Sequence, residues 1–188
     1  MLYKPTARIS GRAESAGQTL GIIYMSTERL TNCHRLLLRR QWLGGGGLLN
    51  WIMLNPSTAT DEFDDQTIRK CVGFSKRWGF SGLVVTNLFT FRATNPRDLA
   101  DLVKSDYARA VGLADGTLIE HAREADLIVA AWGNHGNLAG RADDVINRLL
   151  PDVSLCCIGL TKVGMPLHPC MEKYTDGPVD FRPMYSCI

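Results

Sequence analysis

An α/β fold built on a central, mostly parallel sheet is what this 188-residue sequence predicts, on three observations. Nearly continuous apolar runs recur along the chain, stretches with helical spacing separate them, and a short polar segment follows each run. Strands buried on both faces read as unbroken apolar runs, and helices alternating with them imply a parallel sheet covered on both sides. The expected architecture is a three-layer α/β/α sandwich with an antiparallel hairpin at its N-terminal edge.

Residues 1–18 are polar and lack a period, so they read as a loosely held arm ahead of a single domain over 19–188. TLGIIYMS (19–26) and HRLLLRRQW (34–42) fit the edge hairpin. Gly44 to Gly47 lead into a strand, whereas a phosphate cradle would want spaced glycines ahead of a helix and a lysine, so they read as a turn. The buried strands are LLNWIML (48–54), LVVTNLF (83–89), DLIVAAWG (126–133) and SLCCIGL (154–160). Between the first two, residues 64–79 carry Ile68, Cys71, Val72, Ser75 and Trp78 at helical spacing. Asn95-Pro96 opens a short helix through Leu102, a longer helix runs from Ser105 to Glu124, and residues 138–149 form another before Pro151. The remainder is a tail rich in proline and glycine.

Hydrophobic residues at 45% and charged residues at 21% are the ordinary balance of a globular domain. No stretch approaches the roughly 20 apolar residues that cross a bilayer. The basic N-terminus lacks the apolar core of a secretory signal. A cytoplasmic location without a membrane partner is the expectation. A net charge of +2 argues against a strongly basic, tail-driven nucleic-acid binder, yet leaves room for a local patch at Arg35, Arg39 and Arg40 or at Arg92 and Arg97. Each arginine group taken alone reads as a solvated face. The six cysteines include no CxxC pair and read as small buried residues rather than disulfides or metal ligands.

The chemistry-bearing residues follow the strands. Asn55-Pro56-Ser57-Thr58 follows the first buried strand, with Asp64 and Asp65 ahead of the next helix. Asn87, Phe89 and Arg92 end the second, Trp132-Gly133-Asn134 the third, and Lys162 and His168 the fourth. Parallel strands would deliver all of these to one sheet edge, where open α/β sheets bind their ligands. Each has a bland reading too: Asn, Ser, Thr and Asp cap helices and shape turns, Trp132-Gly133 could be packing plus a turn, and a histidine beside proline could be a satisfied loop residue. Four such clusters after four consecutive strands favour a shared crevice. There a side-chain amide could orient a water, a histidine could donate to an oxygen on which charge develops, and Phe89 could stack a base. No Ser-His-Asp spacing, HExxH or Walker motif appears.

From Arg35 to Pro169 the chain resembles a widespread bacterial and phage family of uncharacterised proteins. The resemblance is carried by LLLRRQW, MLNPSTA, DDQTIRKC, GFSGLVVTNLFTFRATNPRDL, VAAWGNHG and IGLTKVGMPLHP in unbroken order. The same order is similar to the uracil-DNA glycosylase superfamily, through Met53-Leu54-Asn55-Pro56-Ser57, Ala131-Trp132-Gly133 and His168-Pro169. That resemblance implies a hydrolase cleaving the N-glycosidic bond of a modified or mismatched base in DNA, without metal or cofactor. Asn55 would orient the water, His168 would stabilise the departing base, and Asn87 would contact base or sugar. Arg92, Lys162 and the Arg39/Arg40 pair would meet phosphates. The glycosylase pattern departs at Ser57, where glycine is frequent, and at Cys170, where serine is common, and the last loop departs from the uncharacterised family at Leu167, Cys170 and Met171. Two further readings stand beside it: an enzyme acting on a free nucleoside or nucleotide, and a non-catalytic nucleotide or nucleic-acid binding module.

Overall fold

A computed structural model describes residues 22–60 and 63–181, and the expected N-terminal arm lies outside them. Seven strands form one mixed sheet in the order β1-β2-β4-β3-β5-β6-β7. They are β1 (Ile22–Thr31), β2 (His34–Trp42), β3 (Leu48–Met53), β4 (Gly82–Asn87), β5 (Leu127–Ala130), β6 (Leu155–Cys157) and β7 (Val179–Phe181). β3 pairs in parallel with β4 on one side and β5 on the other, and β5 with β6. Antiparallel pairs flank this core: β1 with β2 and β2 with β4 at one edge, β6 with β7 at the other. The expectation of a mostly parallel sheet is therefore corrected. The tail rich in proline and glycine returns alongside β6 and closes the far edge, since even a three-residue strand satisfies an exposed row of backbone groups.

Strand periodicity sorts the core into two clusters. Leu49, Trp51 and Met53 of β3 and Leu83 and Val85 of β4 point to one face, where α1 (Gln66–Arg77) covers them with Ile68, Cys71, Val72 and Phe74. Trp51 stacks on Trp78 at 5.8 Å and donates from Nε1 to Ser75 Oγ at 3.1 Å. Ile52, Ile128, Ala130 and Cys157 point to the opposite face. There α2 (Pro96–Ser105), α3 (Tyr107–Val111) and α4 (Ala114–Glu124) bring Leu99, Val103, Val111 and Leu118, and α5 (Arg141–Asp144) brings Ala142. The chain thus leaves β3 across one face to reach β4 and returns across the other to β5, which places a reversal of strand order at β3.

The single long helix expected over 105–124 is two. Gly112 breaks it at φ 55°, packed so closely on Thr90 that a Cβ there would sit 2.4 Å from the Thr90 hydroxyl. The turn after Trp42 bears out its glycines in the same way, with positive φ at Gly44, Gly45 and Gly47. The thiol reading holds for buried Cys71, Cys156 and Cys157, whereas Cys33 is exposed and Cys170 half-buried, and Cys187 lies outside the described residues. Burial, followed by Asp180 and Cys157, pushes the Cys156 thiol up to about 11, which leaves it inert at neutral pH.

Gly112→Ala adds backbone strain and a hydroxyl clash together. It is expected to lower stability by about 2 kcal/mol or more, read as an earlier urea midpoint at unchanged slope.

Candidate functional site

The parallel pairing of β3 and β4 puts Met53 opposite Asn87, so both strands end level at the same edge of the sheet. Their trailing loops are then stitched together. Leu88 and Phe89 donate backbone N–H groups to Met53 and Leu54, and Ala93 donates to Pro56 at 3.1 Å. Arg92 lies across the seam, with Nε and Nη2 donating to the Ser57 carbonyl at 3.3 and 3.2 Å. The Asn55 amide nitrogen donates to the carbonyls of Pro56, Phe91 and Ala93 at 3.0, 3.4 and 2.8 Å. Those bonds orient the whole side chain. Its oxygen is left as an acceptor, and no donor among the described residues engages it.

On the α1 side of this edge lies a small cavity of about 40 Å³. Asn55, Ser57, Asp65, Asn87 and His168 border it, together with Arg35 from β2. The volume suits one ordered water rather than a base. Asn87 is 3% exposed and its amide nitrogen has no partner among the described residues. A buried donor without an acceptor costs about 1–3 kcal/mol, and although Asn50 Nδ2 and Trp132 Nε1 share that condition, of the three only Asn87 borders the cavity. Asp65 caps α1 by accepting from the Ile68 N–H at 2.9 Å while bordering the same cavity.

His168 arrives on the loop that follows β6, with its neighbour Leu167 packed on the α1 face. Gly133, at φ 68° after β5, donates its N–H to Pro166 at 3.0 Å, and Leu167 donates to Gly159 at 2.9 Å. A Cβ on Gly133 would meet the His168 Cβ at 3.5 Å, so the tryptophan-glycine turn seats the histidine loop. Nδ1 of His168 accepts from the Cys170 N–H at 3.4 Å, which leaves the proton of the neutral ring on Nε2. His168 is exposed as a residue, yet partial desolvation of its ring lowers the proton affinity of the imidazole, and the Asp65 carboxylate acts in the opposite direction. A neutral ring with its donor on Nε2 is the result at neutral pH.

Several expected site residues stand elsewhere. Phe89 is wholly buried and meets Tyr107 edge-on at 6.3 Å, so it belongs to the core and cannot stack an incoming base. Trp132 is 1% exposed and packs edge-on against Phe181, which makes its role structural. Thr58, Asn134 and Lys162 are exposed and do not border the cavity, and Pro56 and Gly133 act through their backbones. Asp64 accepts from Arg40 Nε at 2.8 Å, and Arg40 is completely buried. Arg40 also donates to the carbonyls of Arg39 and Thr60 at 2.8 and 2.6 Å. Arg39 pairs with Glu124 at 3.3 Å. The solvated-face reading of this arginine group is thus corrected for Arg35 and Arg40. Strand parity carried the signal for Arg40, which shares its face of β2 with the buried Leu38 and Trp42. Arg35, 2% exposed and donating to the Ala59 carbonyl at 2.6 Å, and Thr67 of α1 are polar cavity residues that sequence reasoning missed.

A wider groove of about 640 Å³, bordered by Tyr107, Asp143 and Arg148, contains none of the expected site residues. Among the described residues no group of three or more His, Cys, Asp or Glu is placed to hold a metal ion. No helix there is long and apolar enough to cross a membrane. Arg40→Ala would leave Asp64 without its partner and release the Thr60 carbonyl of the segment that leads to α1. A loss of about 3–5 kcal/mol in denaturant unfolding is expected.

Neither curated proteins nor solved structures give a match to this chain. A family model described as a protein of unknown function, DUF1643, matches residues 35–170. That span includes every residue bordering the small cavity and most of the chain; the chain belongs to the DUF1643 family.

Proposed function

We propose that this protein is an N-glycosidic bond hydrolase of the uracil-DNA glycosylase type, acting in the cytoplasm on a modified or mismatched base in DNA. The three-layer, glycosylase-like architecture is part of the same proposal. The observation that carries it is the shared cavity of Asn55, Asn87 and His168, with the three polar groups in complementary states. Asn55 has its amide donors engaged by backbone, so its oxygen is free to accept from a water. His168 offers an Nε2–H to an oxygen on which charge develops as the base departs, where a fixed donor gives most in a transition state. The unpartnered Asn87 amide suits a carbonyl of a base flipped out of the stack. A base enters only if the loops around the cavity open, because the present volume matches a water.

One observation favours a second reading, an enzyme acting on a free nucleoside or nucleotide. The arginines expected to meet phosphates are engaged within the fold: Arg40 by Asp64, Arg39 by Glu124, and Arg92 by the Ser57 carbonyl. Phosphate contacts dominate DNA affinity and make it salt-dependent. Binding to duplex DNA that weakens steeply between low and moderate salt supports the DNA substrate. Salt-indifferent binding, with base release from free nucleosides, supports the second reading.

The direct test is alkali-labile abasic-site formation on single- and double-stranded oligonucleotides carrying a panel of modified and mismatched bases. Asn55→Ala is expected to reduce base release about 100-fold through loss of water orientation. Asn87→Ala is expected to raise KM or change which base is removed, while removing the cost of a buried, unpartnered donor and leaving stability equal or slightly higher. Absence of base release across the oligonucleotide and nucleoside panels, with binding retained in Asn55→Ala, would leave a binding module.

A further inference from the structure

Resting on the hydrolase reading, the cavity still lacks a destination for one proton. Attack of water on the anomeric carbon forms a C–O bond and breaks the C–N bond, whose electron pair leaves on the base nitrogen. The attacking oxygen must shed a proton. Asn55 cannot take it, because an amide accepts a hydrogen bond but is not a base at neutral pH. His168 has Nδ1 turned to the Cys170 N–H and its other nitrogen already protonated, so it serves the departing base.

Asp65 is the one carboxylate among the described residues that border the cavity. Its neighbour Asp64 is engaged by the buried Arg40 guanidinium at 2.8 Å. Capping uses part of the Asp65 acceptor capacity, the Oδ1 contact with the Ile68 N–H at 2.9 Å. A carboxylate has about four lone-pair sites, so capacity remains. The cap also aims the side chain, since a residue bonded to its own helix has few rotamers left. The buried, unpartnered Asn87 amide marks the same cavity as a place for a ligand, independently of the helix end.

We propose that Asp65 is the general base of this site, taking the proton of the water that Asn55 orients. The proton then passes to the departing base nitrogen, so one water is consumed and no oxidant, reductant or metal enters. The charged and titratable groups facing Asp65 are Arg35 from β2 and His168 from the last loop, with Cys71 further along α1. Electrostatic coupling to His168 agrees with a carboxylate directed toward the cavity that both border.

Asp65→Asn and Asp65→Ser separate the two roles, because Asn and Ser are both good N-caps and neither is a base. Loss of a general base is expected to lower kcat for base release by about 100-fold or more, within the usual range for such groups. KM and the thermal midpoint should stay at wild-type values, and the His168 imidazole, titrated by NMR, should bind its proton more weakly. If both variants release base as fast as the wild type, Asp65 is only a cap; the inference falls and the hydrolase reading stands. If the wild-type chain releases no base from any oligonucleotide or nucleoside, both fall together. A loss of rate that merely tracks loss of folded protein in both variants also overturns the inference.

Discussion

β3 is hydrogen-bonded on both sides by strands that run its own way, and the arrangement of the site follows from that pairing. Parallel strands cannot be joined by a tight turn, so the chain must cross a face of the sheet between each pair. α1 crosses one face and α2 to α4 the other, and the connecting loops open at the end of β3. Alternation along the strands then decides which side chains share a side. Asn55 and Asn87 follow the α1-facing series of Leu49, Trp51, Met53 and of Leu83, Val85, so both reach the space under the N-terminus of α1.

Arginines hold this edge in shape. Arg92 secures the two loops that follow β3 and β4, Arg40 anchors the segment leading to α1, and Arg35 reaches the Ala59 carbonyl beside the cavity. Arg141 does comparable service on the other face, donating to the Leu88 carbonyl at 2.9 Å and pairing with Asp115 and Asp144. A planar guanidinium with five donors can satisfy several loop carbonyls at once, which suits a region with little regular secondary structure. The consequence for function is that positive charge near the cavity is largely internal. A modest net charge of +2 and engaged arginines therefore describe one property at two scales.

Polarity is handled unevenly at the site. Asn55 is saturated on its donor side, Asp65 on part of its acceptor side, and Asn87 has an amide nitrogen with nothing to meet. Buried polar groups are ordinarily satisfied; Asn50 Nδ2 and Trp132 Nε1 in the core also lack a partner among the described residues, and Asn87 differs from them in facing the cavity. Such a cavity is held by hydrogen bonds between its own members Asn55, Arg35 and Asp65 and the surrounding backbone, which is how a site keeps groups ready for a substrate.

Apolar runs and helical spacing determined, without any coordinates, that four strands would be buried between helices and that polar segments would trail them. Asn55, Asp65, Asn87 and His168 could be placed together because the apolar period and the polar segment trailing each strand are local, repeating properties. Tertiary structure alone decided which trailing residues turn inward. Phe89 and Trp132 carry the same signature as binding aromatics, yet the packing of α3 and β7 makes them core. The antiparallel return of β7, the break at Gly112 and the burial of Arg35 and Arg40 also depend on partners distant in sequence. A charged residue reads as exposed until the carbonyls and carboxylates that enclose it are known, and those are supplied by other parts of the chain.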